Sequence, residues 1–201
     1  MQDAYRPRNA LYAGLISGML SLSVLGMATA ADKSGYKIGD RLPQAAVPGS
    51  TAYKEMQWDA LAPANWNPAR EFEALNLGSL SDSDPRAIQA LEKLRIAMDN
   101  APVVPALNGA RVRIAGFLVP LDGVKGQITE FLLVPYFGAC IHTPPPPANQ
   151  IIHVVPAKPY KLEQGMDAVW INGVLETTRA ETGMGNAGYR MKADLVTPYK
   201  R

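Results

Sequence analysis

Two hydrophobic periods divide the chain. Between residues 51 and 100 the apolar positions recur every three or four residues, and from Arg111 onward they alternate with polar ones. The clearest helix runs over Ser83–Met98, where Ile88, Leu91, Leu94 and Met98 recur at helical spacing with Arg95 as one charged intrusion. Asp84 stands where it can accept from first-turn N–H groups, Pro85 is pre-set for the first turn, and Pro102 ends the element. Two shorter helical pieces precede it. Glu55–Leu61 is closed by Pro63, and Asn67–Leu75 opens with proline at its first position. Trp58, Trp66, Phe72 and Leu75 are the side chains that dock these pieces on the rest of the protein.

The period of two predicts five strands. Arg111–Pro120 places Val112, Ile114 and Leu118 on one face, with Gly116 as a bend or bulge. A turn built on Asp122, Gly123 and Gly126 returns the chain through Gln127–Val134. Gln150–Val155, Ala168–Thr178 with a glycine interruption, and Gly188–Tyr199 follow, and Arg179–Ala187 reads as a flexible connection. Five strands with internal glycines, preceded by short helices, predict a mainly β protein: a five-stranded OB-like barrel, with a two-sheet sandwich as the runner-up. The expected organisation is a signal peptide over 1–30, a linker or docked arm over 31–50, a helical extension over 51–108 and the barrel over 109–201.

Composition and charge narrow the setting. Arg6 and Arg8 precede an apolar run from Ala10 to Met27, and Ala28-Thr29-Ala30 supplies a small-x-small cleavage pattern. A secretory leader is the expectation, with a retained anchor as the alternative. The protein is then periplasmic, or secreted. Removing residues 1–30 leaves 18 basic and 17 acidic residues. That near-neutral balance lacks the clustered basic face that nucleic acid requires. Membrane contact is expected only through a partner.

The rare residues gather in one stretch, Pro135–Gln150, which holds the only cysteine, one of the two histidines and four consecutive prolines. A lone cysteine in an oxidising compartment cannot form an internal disulfide, so Cys140 is buried, metal-bound or reactive. Read as an extended segment, the stretch points Cys140 and His142 to the same side, where thiolate and imidazole suit zinc or copper. His153 on the next strand is a candidate third donor, and Asp122, Glu130, Met184 and Met191 are candidates to complete the set. Two other readings stand beside the metal. Cys140 is a nucleophile activated by His142, or it is a small buried plug with His142 pinning the loop. Pro144, Pro145, Pro146 and Pro147 form a rigid ridge that can be offered to a partner. Asn149 and Gln150 brace the carbonyls where the ridge rejoins the sheet. Gly138 allows the turn, and Tyr136 either lines a pocket or packs, as Phe137 does.

The segments Gly116–Leu121 and Glu130–Gln150, together with Trp58–Pro63, resemble an uncharacterised bacterial secreted family, a domain of unknown function with the signature G-A-C-I-H-x-P-P-P-P-x-N-Q. The resemblance spans about residues 55 to 199 and implies an OB-like barrel in the periplasm. It also implies a neighbourhood of ABC-type transport components and metal-responsive genes, hence an accessory role beside an ABC-type permease or another envelope protein rather than an established activity. Cys140, His142, Pro144 to Pro147, Asn149 and Gln150 match the signature. His153 lies outside it, where the family more often shows an aromatic residue.

Overall fold

The computed structural model describes residues 35–43, 52–67, 81 and 83–200, all within one compact unit, Asp32–Arg201. The expected signal peptide, the expected helix Asn67–Leu75 with Phe72 and Leu75, and part of the 31–50 arm lie outside the described residues. Among the described residues no helix is long and apolar enough to cross a membrane.

The elements in chain order are β1 (Lys54–Glu55), α1 (Pro85–Asp99), β2 (Ala110–Val124), β3 (Gln127–Val134), β4 (Ile152–Pro156), β5 (Tyr160–Lys161), β6 (Ala168–Glu176), β7 (Ala180–Thr182), β8 (Gly185–Ala187) and β9 (Tyr189–Pro198). Five of the strands close on themselves in the order β2-β3-β4-β9-β6 and back to β2. All neighbours are antiparallel except β4 and β9, which run parallel. This is the OB-like barrel. Closure rejects the sandwich, and β2 achieves it by its length. Ala110–Phe117 pairs with β6, Phe117–Val124 pairs with β3, and Phe117 belongs to both ladders.

Alternation along β2 sends Val112, Ile114 and Leu118 into the barrel interior, where they meet Phe131, Leu133, Ile152, Ile171 and Tyr189. The other face is buried as well. Ala115, Phe117 and Val119 join Leu132, Val134 and Trp170 in an outer cluster under Leu42, Phe137 and Met166. The strand is therefore apolar on both sides, which is why its period of two is blurred between residues 114 and 119.

Gly116 is not a bulge. Its ladder to β6 runs through without a shift, and the irregularities of β2 fall at Pro120–Gly123 instead. Glycine is required there by close approach, since a Cβ would lie 2.8 Å from Leu133 Cγ and 2.9 Å from Trp58 Cζ2. The glycine interruption in β6 is no bulge of that strand either: its ladder to β2 is unbroken, and the shift at Asn172/Gly173 leaves Asp194 of β9 as the extra residue. The β2–β3 turn is tighter than the sequence suggests: it keeps Gly126 (φ 77°) and adds Lys125 (φ 52°), while Asp122 and Gly123 remain in β2. Two consecutive positive φ values are the type I′ geometry that matches the twist of a hairpin. The expected flexible connection 179–187 is itself a small hairpin of β7 and β8.

Helix α1 begins as expected, with Asp84 accepting from Arg86 N at 2.8 Å. Its buried residues are Ala87 and Ala90, while Ile88 and Leu91 are more than half exposed. The helix thus lies on its alanine face, because small side chains permit close packing, and the Ile88/Leu91 stripe is turned outward. Trp58 docks as expected, buried in the barrel interior. Tyr189 ties the N-terminal pieces down, its hydroxyl donating to Leu61 O and accepting from Val104 N, both at 2.7 Å.

Candidate functional site

The Pro135–Gln150 stretch connects β3 to β4 and covers the outer face of the barrel. The arm anchors its start: Phe137 N donates to Asp40 O and Gly39 N donates to Phe137 O, both at 2.9 Å. Tyr36 stacks on Phe137 at 5.9 Å, and both rings meet Phe117 edge-on. Phe137 packs, as the sequence suggests.

The extended geometry expected for Cys140 and His142 is not what the chain adopts. Gly138 (φ 87°) and Cys140 (φ 65°) both sit in the left-handed region, and the Gly138 carbonyl accepts from His142 N at 2.8 Å and Thr143 N at 3.1 Å. The segment is a tight turn, so the two-residue alternation that would align thiol and imidazole does not apply. His142 is exposed, whereas Cys140 is half-buried against the outer cluster. Burial pushes the thiol up to about 11, so it keeps its proton at neutral pH, the opposite of an activated nucleophile.

Two of the other candidate donors, His153 and Glu130, pair with each other. His153 is 6% exposed, and its Nε2 lies 2.5 Å from Glu130 Oε1. Met191 is buried in the barrel interior, Asp122 bonds Gly123 N beside the hairpin turn, and Met184 packs on the same outer cluster as Cys140. Among the described residues, no group of three or more His, Cys, Asp and Glu side chains is placed to hold a metal ion.

Bracing is visible at the far end of the loop. Asn149 is fully buried and its Nδ2 donates to Pro102 O at 2.9 Å, while Gln150 Nε2 donates to Trp58 O at 3.1 Å. Gly188 N donates to Ala148 O at 2.7 Å. These bonds fix the prolines: Pro144 and Pro145 are exposed, Pro147 is half-buried and Pro146 is buried.

The prolines form one wall of a groove of about 360 Å³, completed by Met98, Pro135, Tyr136, Thr143, Gln150 and Arg41. A second hollow of about 370 Å³, lined by Gln57, Trp58, Asp59 and Ala115, shares Arg41 and Pro135 with the first. Burial raises the Tyr136 phenol above its ordinary value, against the opposing pull of Thr143 and Arg41. Arg41 makes no ion pair among the described residues. Sequence reasoning missed Arg41 because the arm has no period and carries no motif; only an antiparallel bridge to Tyr136 places it at the groove.

The fold and this loop define an OB-like barrel whose β3–β4 connection is a proline-walled surface groove. Residues 58–198 match the family described as protein of unknown function DUF3299, and the chain belongs to that family. The protein is also similar to a DUF3299 family protein from Pseudomonas aeruginosa PAO1 whose crystal structure is known, with 39% identity, 75% of this chain and 98% of the other covered, and a TM-score of 0.58. No curated protein matches the chain.

Proposed function

We propose that the protein is a non-catalytic binding module of the bacterial envelope, exported after cleavage of its first 30 residues, that docks an envelope partner such as an ABC-type permease through the groove along Pro144–Pro147. The observation that supports this reading is the groove itself. Four prolines, Pro135 and Tyr136 supply a rigid, largely apolar wall, and a surface ordered in advance loses little entropy on binding. Arg41 adds one cationic group, shared with the adjoining hollow. The complementary partner is an extended apolar segment carrying a carboxylate. Cross-linking in intact envelopes tests this. Wild type should capture a partner that Arg41→Glu loses at unchanged thermal stability, and equal capture by both proteins would overturn the proposal.

Zinc or copper binding through Cys140 and His142 is the weaker reading. A metal there must first remove a proton that burial holds on the thiol, and only two donors come from the turn. Metal analysis of wild type and Cys140→Ala/His142→Ala after zinc loading decides it: retention by wild type alone would restore the metal reading.

A further inference from the structure

A separate cavity of about 220 Å³ opens where the arm, the β5–β6 connection and the end of β9 meet. Its charged lining is acidic. Glu163 and Asp167 carry carboxylates, and neither forms an ion pair among the described residues. Gln164 lines the same cavity, and its Oε1 is buried with no hydrogen-bond partner. Asp167 is 8% exposed; it accepts from Glu163 N at 2.9 Å, Gln164 N at 2.8 Å and Tyr160 OH at 3.2 Å. Those bonds brace the connection and stabilise the carboxylate, and no cationic side chain pairs with it among the described residues. The Tyr160 phenol registers it: burial first, then the charge of Asp167 and a smaller contribution from Glu163, raise it far above its ordinary value.

The remaining lining is aromatic and apolar. Tyr36 and Tyr199 contribute rings, and Met166 contributes a thioether. Tyr199 is held by stacking on Trp170 at 5.6 Å and by donating its hydroxyl to Pro43 O. This lining disfavours an anion through its two carboxylates. It suits a divalent metal poorly, since hard cations take six or more oxygens and two carboxylates already engaged or exposed supply too few. An alkylammonium satisfies every part. The two carboxylates match its charge, the tyrosine rings offer cation–π contact, and the Met166 thioether suits its methylenes.

We propose that this cavity binds an alkylammonium group, from a free diamine or from the lysine side chain of a partner. Calorimetric titration of the protein with cadaverine, with a capped lysine amide and with the neutral alcohol matching cadaverine in length tests it. Glu163→Gln removes one charge while leaving the backbone bond to Asp167 in place, and Tyr199→Leu removes one ring. Wild type should bind the ammonium probes and not the alcohol, with affinity reduced by about fivefold in Glu163→Gln and by a similar factor in Tyr199→Leu. Binding of the lysine amide but not the diamine identifies a partner side chain as the source; binding of both identifies a general alkylammonium site. The proposal is overturned by absence of binding to either ammonium probe, by equal binding of the alcohol, or by an affinity that neither substitution changes.

Discussion

Trp58 lies directly on Gly116. Its indole Nε1 donates to the neighbouring Ala115 carbonyl at 2.7 Å, and a methyl group on Gly116 would stand 2.9 Å from its Cζ2. The N-terminal segment is thus fastened to the strand that closes the barrel, at a position where that strand has no side chain. Gly116→Ala must displace Trp58, Leu133 and the Val134 carbonyl together and should cost about 1–3 kcal/mol, read as a lower urea midpoint at unchanged slope. Gly165→Ala, with nothing within 4 Å of its added Cβ, should change stability by less than about 0.5 kcal/mol.

Asn149 joins the proline loop to the segment before the barrel. Replacing it with alanine strips the Pro102 carbonyl of its donor, so Asn149→Ala should destabilise by about 1–3 kcal/mol. Thermal denaturation checks this, and an unchanged midpoint would show that the loop does not depend on that bond.

The thiol of Cys140 gives a pH signature. Its folded value of about 11 exceeds its ordinary value of 9.0. Between those values the unfolded chain has lost the proton that the folded protein keeps, so stability is full below about pH 9 and falls as pH rises through about 11. Unfolding midpoints recorded over this window should fall less steeply in Cys140→Ala. The same burial should make alkylation of Cys140 in the native protein slower near neutral pH than alkylation of a free thiol; faster alkylation would revive the nucleophile reading.

Helix α1 offers a comparison between two of its faces. Ile88 is 55% and Leu91 57% exposed, against 3% for Ala90. Ile88→Lys and Leu91→Lys should each shift stability by less than about 0.5 kcal/mol, whereas Ala90→Lys places a long charged chain in a closed contact and should cost more than about 1 kcal/mol. Chemical denaturation of the three variants decides which face is docked.

The candidate site was partly legible. The cysteine, histidine and prolines mark one stretch because they are rare, but the carbonyls that Asn149 and Gln150 satisfy belong to Pro102 and Trp58, which no spacing within the loop identifies. The Cys140–His142 geometry was not legible, because a turn held by three to five residues looks like an extended segment when only spacing is read. Two left-handed residues, one of them a cysteine rather than a glycine, decide it.

The sequence by itself determined the local elements. Alternation along residues 111–134 is a property of the chain, as are the proline start of α1 and the glycines of the hairpin. Tertiary structure decided the rest. The barrel closes because β2 is long enough to pair with β3 and β6 at once. The alanine face of α1 is buried in preference to its more apolar stripe. Arg41 reaches the proline groove only because the arm folds back to bridge Tyr136. Each depends on residues tens of positions apart, and contacts at that separation are selected by packing, which no local period encodes.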